Sequence, residues 1–454
     1  MSFTRRSFLA SAAALAAAPA LGAVPASGEV DVAIIGAGAA GIAAARRIAG
    51  LGRRFALIEA GDRIGGRCIT DTRTFGVPHD RGAHWIRQPD VNPLVKLAAK
   101  SGLDIYPAPL DQKIRIGRRH AREGEMEDFL AALVRSNRAI AEAARGKADV
   151  SCAQALPKDL GDWRPTIEFL LGPYGCSEDL IDVSAVDFAK AVERDSDAFC
   201  RQGYGALLAK LAQGLSVQLS TPVTQIEWGK GLSVETARGR ITARAIIVTV
   251  STNVLTSGKI KFTPDLPKRQ LDAAAKLKLG TFERVALELP GNPLGLQRDD
   301  LVFEKSETSR TAAILANVSG TTLCQVNIAG RFGRDLSAQG EAALIAFALD
   351  WLTGLYGADM KKAVKRTHAT QWDKEPWVLG AWSAAAPGAQ SARRALMEPL
   401  RDRVFFAGEA VHETLWGTVN GAWESGERAA EAALTKMGIL KQVPESRRTP
   451  ARRR

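Results

Sequence analysis

Apolar positions along this chain follow two alternating rhythms. Residues 30–35 (VDVAII) form a short run with the composition of a parallel strand buried on both faces. Glycines interrupt the run, an Ala-rich segment that reads as a helix follows, and residues 55–58 (FALI) repeat the strand signal. The same kind of reading predicts strands at 216–219, 232–236, 246–250, 284–289 and 322–328. Helical spacing marks 204–213, 126–145 and 340–355, and residues 88–199 read as mostly helical. Residues 403–437 read as a strand, a glycine turn and a helix. Strands that alternate with helices in this way predict an α/β fold with a parallel sheet.

Length and composition narrow the picture. The 454 residues exceed one ordinary core, so two domains are expected. Hydrophobic content of 46% and charged content of 24% are those of a soluble globular protein. Residues 1–29 stand apart: Thr4-Arg5-Arg6-Ser7-Phe8-Leu9, an Ala-rich apolar stretch and then small residues. That order resembles a twin-arginine export signal, which predicts passage through the twin-arginine translocase into a periplasm. Past residue 29, no apolar run is long enough to span a bilayer. The net charge of +12 is raised by a basic tail, residues 439–454, that reads as a solvated segment. No recognition motif accompanies it, so no nucleic-acid partner is expected. The five cysteines (Cys68, Cys152, Cys176, Cys200 and Cys324) are odd in number and show no C-x-x-C spacing, so no metal site is expected. One disulfide is conceivable in an oxidising compartment, with its pairing open. The oligomeric state is also open.

The first chemistry lies at Gly36, Gly38 and Gly41, a G-x-G-x-x-G between the first strand and the Ala-rich helix. The first glycine allows the tight turn, the second lets a pyrophosphate approach the backbone, and the third lets the helix pack on the sheet. Glu59 ends the second strand about twenty residues on, where a carboxylate can bind ribose hydroxyls. Strand, turn, helix, strand and acid together predict a dinucleotide site.

Beyond Glu59 the chain reads AGDRIGGR through Arg67, and here it resembles the flavin-dependent amine oxidases, which place a Gly-Gly-Arg turn against the FAD pyrophosphate. The resemblance continues in DRGAHWI (from Asp80), TPVTQIE (from Thr221), AIIVTV (from Ala245) and QWDKEPWVLGAWS (from Gln371), and closes with FFAGEA and GTVNGAWESGERAA. The nearest likeness is to the polyamine oxidases and histone-lysine demethylases. It implies a Rossmann-like FAD-binding domain made of residues 30–87, 200–264 and 396–438. An α+β substrate domain made of residues 88–199 and 265–395 interleaves with it. It further implies that Gly66 and Arg67, the strand residues Gly82, Ala83, His84 and Trp85, then Val223, Trp377, Gly408, Glu409 and Val419 lie against FAD. Val419 opens the last helix, whose N-terminus stabilises negative charge on reduced flavin.

Oxidising an amine with flavin requires a carbon held over the flavin, water excluded and the amine deprotonated. Aromatic and apolar walls serve all three needs. By the resemblance Trp382 is one wall of an aromatic cage and Thr418 stands where the opposite wall would be. Ala381 stands where monoamine oxidases carry the cysteine that bonds to flavin, which implies non-covalent FAD. His84 either faces the substrate or packs. Two departures stand out. Arg284 occupies the place of a lysine that holds a water near the flavin and aids reaction with oxygen; arginine is bulkier and cannot lose its proton. Arg87-Gln88 replaces the His-Gly of polyamine oxidases, and an Arg87 in the pocket would suit a carboxylate. The expected activity is therefore oxidation of an amine to an imine, which water hydrolyses to an aldehyde or ketone, with oxygen or another electron acceptor. Arg284, Trp382, Thr418 and His84 are the expected catalytic set. An amino-acid oxidase, a tryptophan-type monooxygenase and a non-catalytic flavin electron carrier are the alternatives.

Overall fold

Five parallel strands end on one edge of a central sheet, and that edge carries the site. In the computed structural model, which describes residues 28–191 and 196–441, the sheet runs in the order Val217–Gln218, Phe55–Ile58, Gly28–Ile35, Gly239–Val248, Ser233–Thr236, Val223–Glu227, Lys261–Thr263. Val404–Phe406 pairs in parallel with the far half of Gly239–Val248. The register sets Ile35 beside both Ile58 and Val248, and Val248 beside Phe406. The residues that follow these strand ends, Gly36, Glu59, Thr249 and Gly408, therefore emerge together, where ligands bind in open α/β sheets.

Both faces of this sheet are covered, which is why residues 30–35 read as a nearly continuous apolar run. Ala33, Ile35, Ile246 and Val248 face one core, and Val32, Ile34, Ile247 and Phe405 face another. On the second face lie the helices Ala39–Ala49 and Val419–Lys436, packed along each other. Their approach is set by Gly426, where a Cβ would lie 2.1 Å from the Ala40 carbonyl oxygen.

A second sheet runs Thr367–Ala369, Phe282–Glu288, Leu323–Ala329, Ala313–Leu315, Leu301–Glu304, Gln112–Ile116, Arg119–His120. The strand Gln112–Ile116 pairs in parallel with Leu301–Glu304, so both long insertions build one sheet. Reading 88–199 as mostly helical missed this strand; its QKIRI sequence is short and largely polar. The helices Gly330–Gln339 and Glu341–Tyr356 cover one face around Val285, Val326 and Leu352. On the other face Phe303 and Ala286 join a core that includes the helix Glu123–Ala143 and reaches the cavity. All five cysteines are buried and none forms a disulfide. Among the described residues no helix is long and apolar enough to cross a membrane. Arg5, Arg6 and most of the basic tail lie outside the described residues.

Candidate active site

A cavity of about 280 Å³ runs from the glycine turn to the second sheet. At the turn end, Gly36 has φ +102°, and a Cβ there would lie 2.5 Å from Thr249 Oγ1. A Cβ on Gly41 would lie 1.8 Å from the Gly36 carbonyl oxygen, so only glycine lets the helix start this close to the strand. Gly38 faces Gly66, whose φ is +58° and whose added Cβ would sit 3.4 Å from Gly38 Cα. The Gly65 N–H donates to the Ala37 carbonyl at 2.8 Å and holds the two turns together. Glu59 accepts the Ala37 N–H at 2.7 Å on Oε2 and the Gly61 N–H at 2.8 Å on Oε1. Each oxygen keeps a second lone pair for a ribose hydroxyl. Val223, Trp377 and Lys259 also line the cavity, the Lys259 ammonium lying 5.4 Å from the Trp377 ring centroid.

The middle of the cavity is tied by one buried carboxylate. Glu409, just after Gly408, accepts from Arg67 Nη1 (2.9 Å), the Ser383 hydroxyl (2.8 Å) and the Gly417 N–H (3.0 Å). Burial alone would raise its carboxyl; Arg67, Arg393 and the Ser383 hydroxyl outweigh burial and hold it below the usual range. Arg67 also donates to the Ala381 carbonyl at 2.5 Å. Thr418 caps the helix Val419–Lys436: its hydroxyl accepts from Gly421 N–H at 3.0 Å and donates to the Leu415 carbonyl at 2.6 Å. Thr418 lines the cavity with its hydroxyl engaged in this cap.

Beyond Thr418 the walls turn aromatic. Trp382 packs against Phe282 at 5.0 Å between centroids, and Phe282 lies 5.8 Å from Tyr174. Tyr174 ends a π-helical turn, Leu170–Tyr174, the kind of helix distortion that recurs at functional sites. A Cβ on Gly417 would lie 2.7 Å from Trp382 Cδ1, so a glycine is what lets this ring lie over the start of the last helix. On the opposite side stand Trp85 and His84, both packed on Phe199. Gly82 and Ala83 also line the cavity, and a Cβ on Gly82 would lie 2.0 Å from the Arg67 carbonyl oxygen.

Arg284 lies on the strand Phe282–Glu288 and is buried to 4% exposure. Nη1 donates to the carbonyls of Asp80 (2.5 Å) and Gly82 (2.7 Å), and Nε to Asn327 Oδ1 (3.2 Å). Burial lowers its pKa to about 10, opposed by Asp80 and Tyr174, so it stays charged at neutral pH. Its bonds make it a brace for the strand that passes the cavity. Arg87 lines the cavity, but it pairs with Asp197 and lies 5.4 Å from the Trp85 ring centroid. The sequence reading missed Phe282, Tyr174, Gly417 and Asp80. For Phe282 the signal was available, since it stands two residues before Arg284 in the sequence LGTFERV, residues 279–285. Tyr174 carried none, because its turn is brought to the cavity only by packing of the second sheet.

A family model described as flavin containing amine oxidoreductase matches residues 39–434. The chain belongs to this family. Among curated relatives of this flavin containing amine oxidoreductase, lysine-specific histone demethylase 2 of Homo sapiens is 26% identical over 88% of this chain and 53% of its own length. Polyamine oxidase 4 of Oryza sativa subsp. japonica is 24% identical over 91% of this chain and 90% of its own length. The chain thus spans about half the length of that demethylase and nearly all of the polyamine oxidase. Solved structures of the same fold include cyclohexylamine oxidase from Brevibacterium oxydans IH-35A, at 21% identity and a TM-score of 0.76 over 90% of this chain and 100% of that one. Wild-type putrescine oxidase bound to putrescine gives the same identity, TM-score and coverage of both chains.

The cofactor of this family is FAD, and the residues present fit it. The Gly36, Gly38 and Gly66 surfaces leave bare backbone for a pyrophosphate at the N-terminus of Ala39–Ala49, and Glu59 offers lone pairs to a ribose. The aromatic chamber lies at the far end of the same cavity.

Proposed function

We propose that this chain is an FAD-dependent amine oxidase or dehydrogenase that converts an amine to an imine, which water hydrolyses to an aldehyde or ketone. The observation that carries the reading is one continuous cavity, with a dinucleotide cradle at one end and the Trp382, Phe282, Tyr174 and Trp85 walls at the other. FAD bound there supplies the two-electron oxidant. The chain's own contribution is to exclude water, favour the neutral amine by desolvation and hold its carbon in one place. Pairing of Arg87 with Asp197 removes much of the reason to expect a carboxylate on the substrate, so a simple amine with an apolar or aromatic body is favoured. The polyamine oxidase similarity supports oxidation of an amine.

Three finer points belong to the same proposal. FAD is held without a covalent bond, because Ala381 supplies no nucleophile at the linkage position. Reaction with oxygen is slow, because Arg284 replaces the expected lysine and its Nη1 and Nε bond to protein oxygens. The protein is exported to the periplasm by the twin-arginine translocase, on the strength of Arg5 and Arg6. The central test is an anaerobic screen of purified holoprotein against amines and amino acids. Bleaching of the flavin by an amine is expected. A flavin that no amine bleaches but that artificial donors reduce would point to the electron-carrier alternative.

A further inference from the structure

Charge is divided unequally along the cavity. Among the described residues, four carboxylates line it: Glu59, Asp62, Glu375 and Glu409. Glu59 and Asp62 follow the second strand at the glycine turn. Glu375 acts on Arg63, which donates to the Gly66 carbonyl at 2.9 Å in that same turn. Glu409 is spent on Arg67, Ser383 and Gly417. Beside the aromatic walls the charged lining is positive and includes Arg87 and Arg284. The carboxylates that oppose these two, Asp197 and Asp80, are not part of the lining among the described residues. The Arg87 side chain is 23% exposed, and its guanidinium carbon lies 5.4 Å from the Trp85 ring centroid. The Arg87–Asp197 pair thus turns its guanidinium to the cavity and keeps its carboxylate behind. Tyr174, in the same chamber, feels that orientation. Burial pushes its phenol up, Arg87 and then Arg284 pull it down, and Asp197 pushes it up by less than either.

We propose that Arg87 is a specificity-determining residue that restricts this site to monoamines, substrates with one basic nitrogen and an uncharged body. The inference rests on the amine-oxidising reading above and narrows its substrate class. A diamine held for oxidation at one nitrogen brings a second ammonium into the chamber. There that ammonium gives up water, finds no carboxylate in the wall and meets a guanidinium of like charge. An apolar or aromatic body meets Trp85, Phe282 and Trp382 instead and gains from leaving water. Polyamine oxidase 4, similar over nearly the whole chain, is named for the class that Arg87 excludes here.

The test uses pairs of amines that differ only in a distal amino group: butylamine with putrescine, and benzylamine with para-xylylenediamine. Each reduces the FAD-loaded protein anaerobically, and rates at low amine concentration are compared within a pair. Wild-type protein should favour the monoamine by roughly 10- to 100-fold at neutral pH. The preference should fade toward about pH 10, where the second amine loses its proton. Arg87→Gln removes the positive charge and leaves Asp197 to meet the second ammonium, so the ratio should shift toward the diamine by roughly 10-fold or more. Arg87→Lys keeps the charge and should keep the preference. Arg87→Gln combined with Asp197→Asn serves where a lone Asp197 carboxylate disturbs folding, and its ratio should shift in the same direction. Equal rates within both pairs in the wild type would overturn the proposal and leave the amine reading standing. So would a ratio unmoved by Arg87→Gln, or moved alike by glutamine and lysine. A preference of constant size at every pH would mean exclusion by shape and would also overturn it. A flavin that none of these amines reduces would overturn the amine reading itself.

Discussion

Arg67 and Glu409 meet at 2.9 Å although 342 residues separate them in the chain. Arg67 ends the Gly-Gly-Arg turn and Glu409 follows the last strand, so the pair closes the cofactor cavity across the two ends of the fold. Glu409 also holds Ser383 and Gly417, so it fixes the Trp382 wall and the start of the last helix at once. Breaking a buried pair by removing one partner costs about 3–5 kcal/mol. Arg67 is 27% exposed at its side chain, so the lower end applies. Arg67→Ala should therefore lose about 3 kcal/mol in urea unfolding and weaken FAD binding. Unchanged stability would mean the pair is only a surface contact.

The same pair gives a pH dependence with a defined sign. Glu409 and Asp80 are both held below their ordinary carboxyl values in the folded protein. Their contribution is fully present above the unfolded values of about 4. It is lost as pH falls from there through the lower folded values. Urea unfolding from neutral pH down to about pH 3 should show wild-type stability falling steeply below about pH 4. Glu409→Gln should start lower and fall less. Parallel curves would show that Glu409 contributes no linked protons.

Glu59→Ala should weaken FAD by about 1.5–3 kcal/mol, the loss of a charge-assisted hydrogen bond. Flavin fluorescence on titration of apoprotein measures it. Acid precipitation of the wild type should release yellow flavin into the supernatant, and flavin retained in the pellet would contradict non-covalent binding.

Helix spacing is a separate test. Because a Cβ on Gly426 would lie 2.1 Å from the Ala40 carbonyl, Gly426→Ala must push apart the two helices under the cofactor. The expected loss is about 1–3 kcal/mol, the usual range for overpacking, in place of the gain that alanine gives in an open helix. A raised melting temperature would refute this contact.

Arg284→Lys should raise the rate at which reduced flavin reoxidises in air and leave anaerobic reduction by substrate nearly unchanged. A lysine gives up the Asn327 bond and is able to lose its proton. Fast wild-type reoxidation in air would remove the basis for this prediction. Export is tested apart from catalysis: Arg5→Lys with Arg6→Lys should leave the protein in the cytoplasm on fractionation, and a periplasmic double mutant would reject the signal.

Local order carried much of this protein into view. Gly36, Gly38, Gly41 and Glu59 are readable because a crossover from strand to helix is contiguous in sequence, and its backbone needs dictate residue type at each position. Most boundaries of the predicted strands and helices shifted by a few residues, but the strand expected at 246–250 begins at Gly239. Gln112–Ile116 escaped because its partner strand, Leu301–Glu304, lies far along the chain, and a short polar run shows no period by itself. Which groups were already spent was a matter for tertiary structure alone. Thr418 had its hydroxyl used as a helix cap, Arg284 had Nη1 and Nε engaged by Asp80, Gly82 and Asn327, and Arg87 had its charge met by Asp197. A residue's type sets what it can bond to, but its remaining capacity depends on which partners folding brings within about 3 Å.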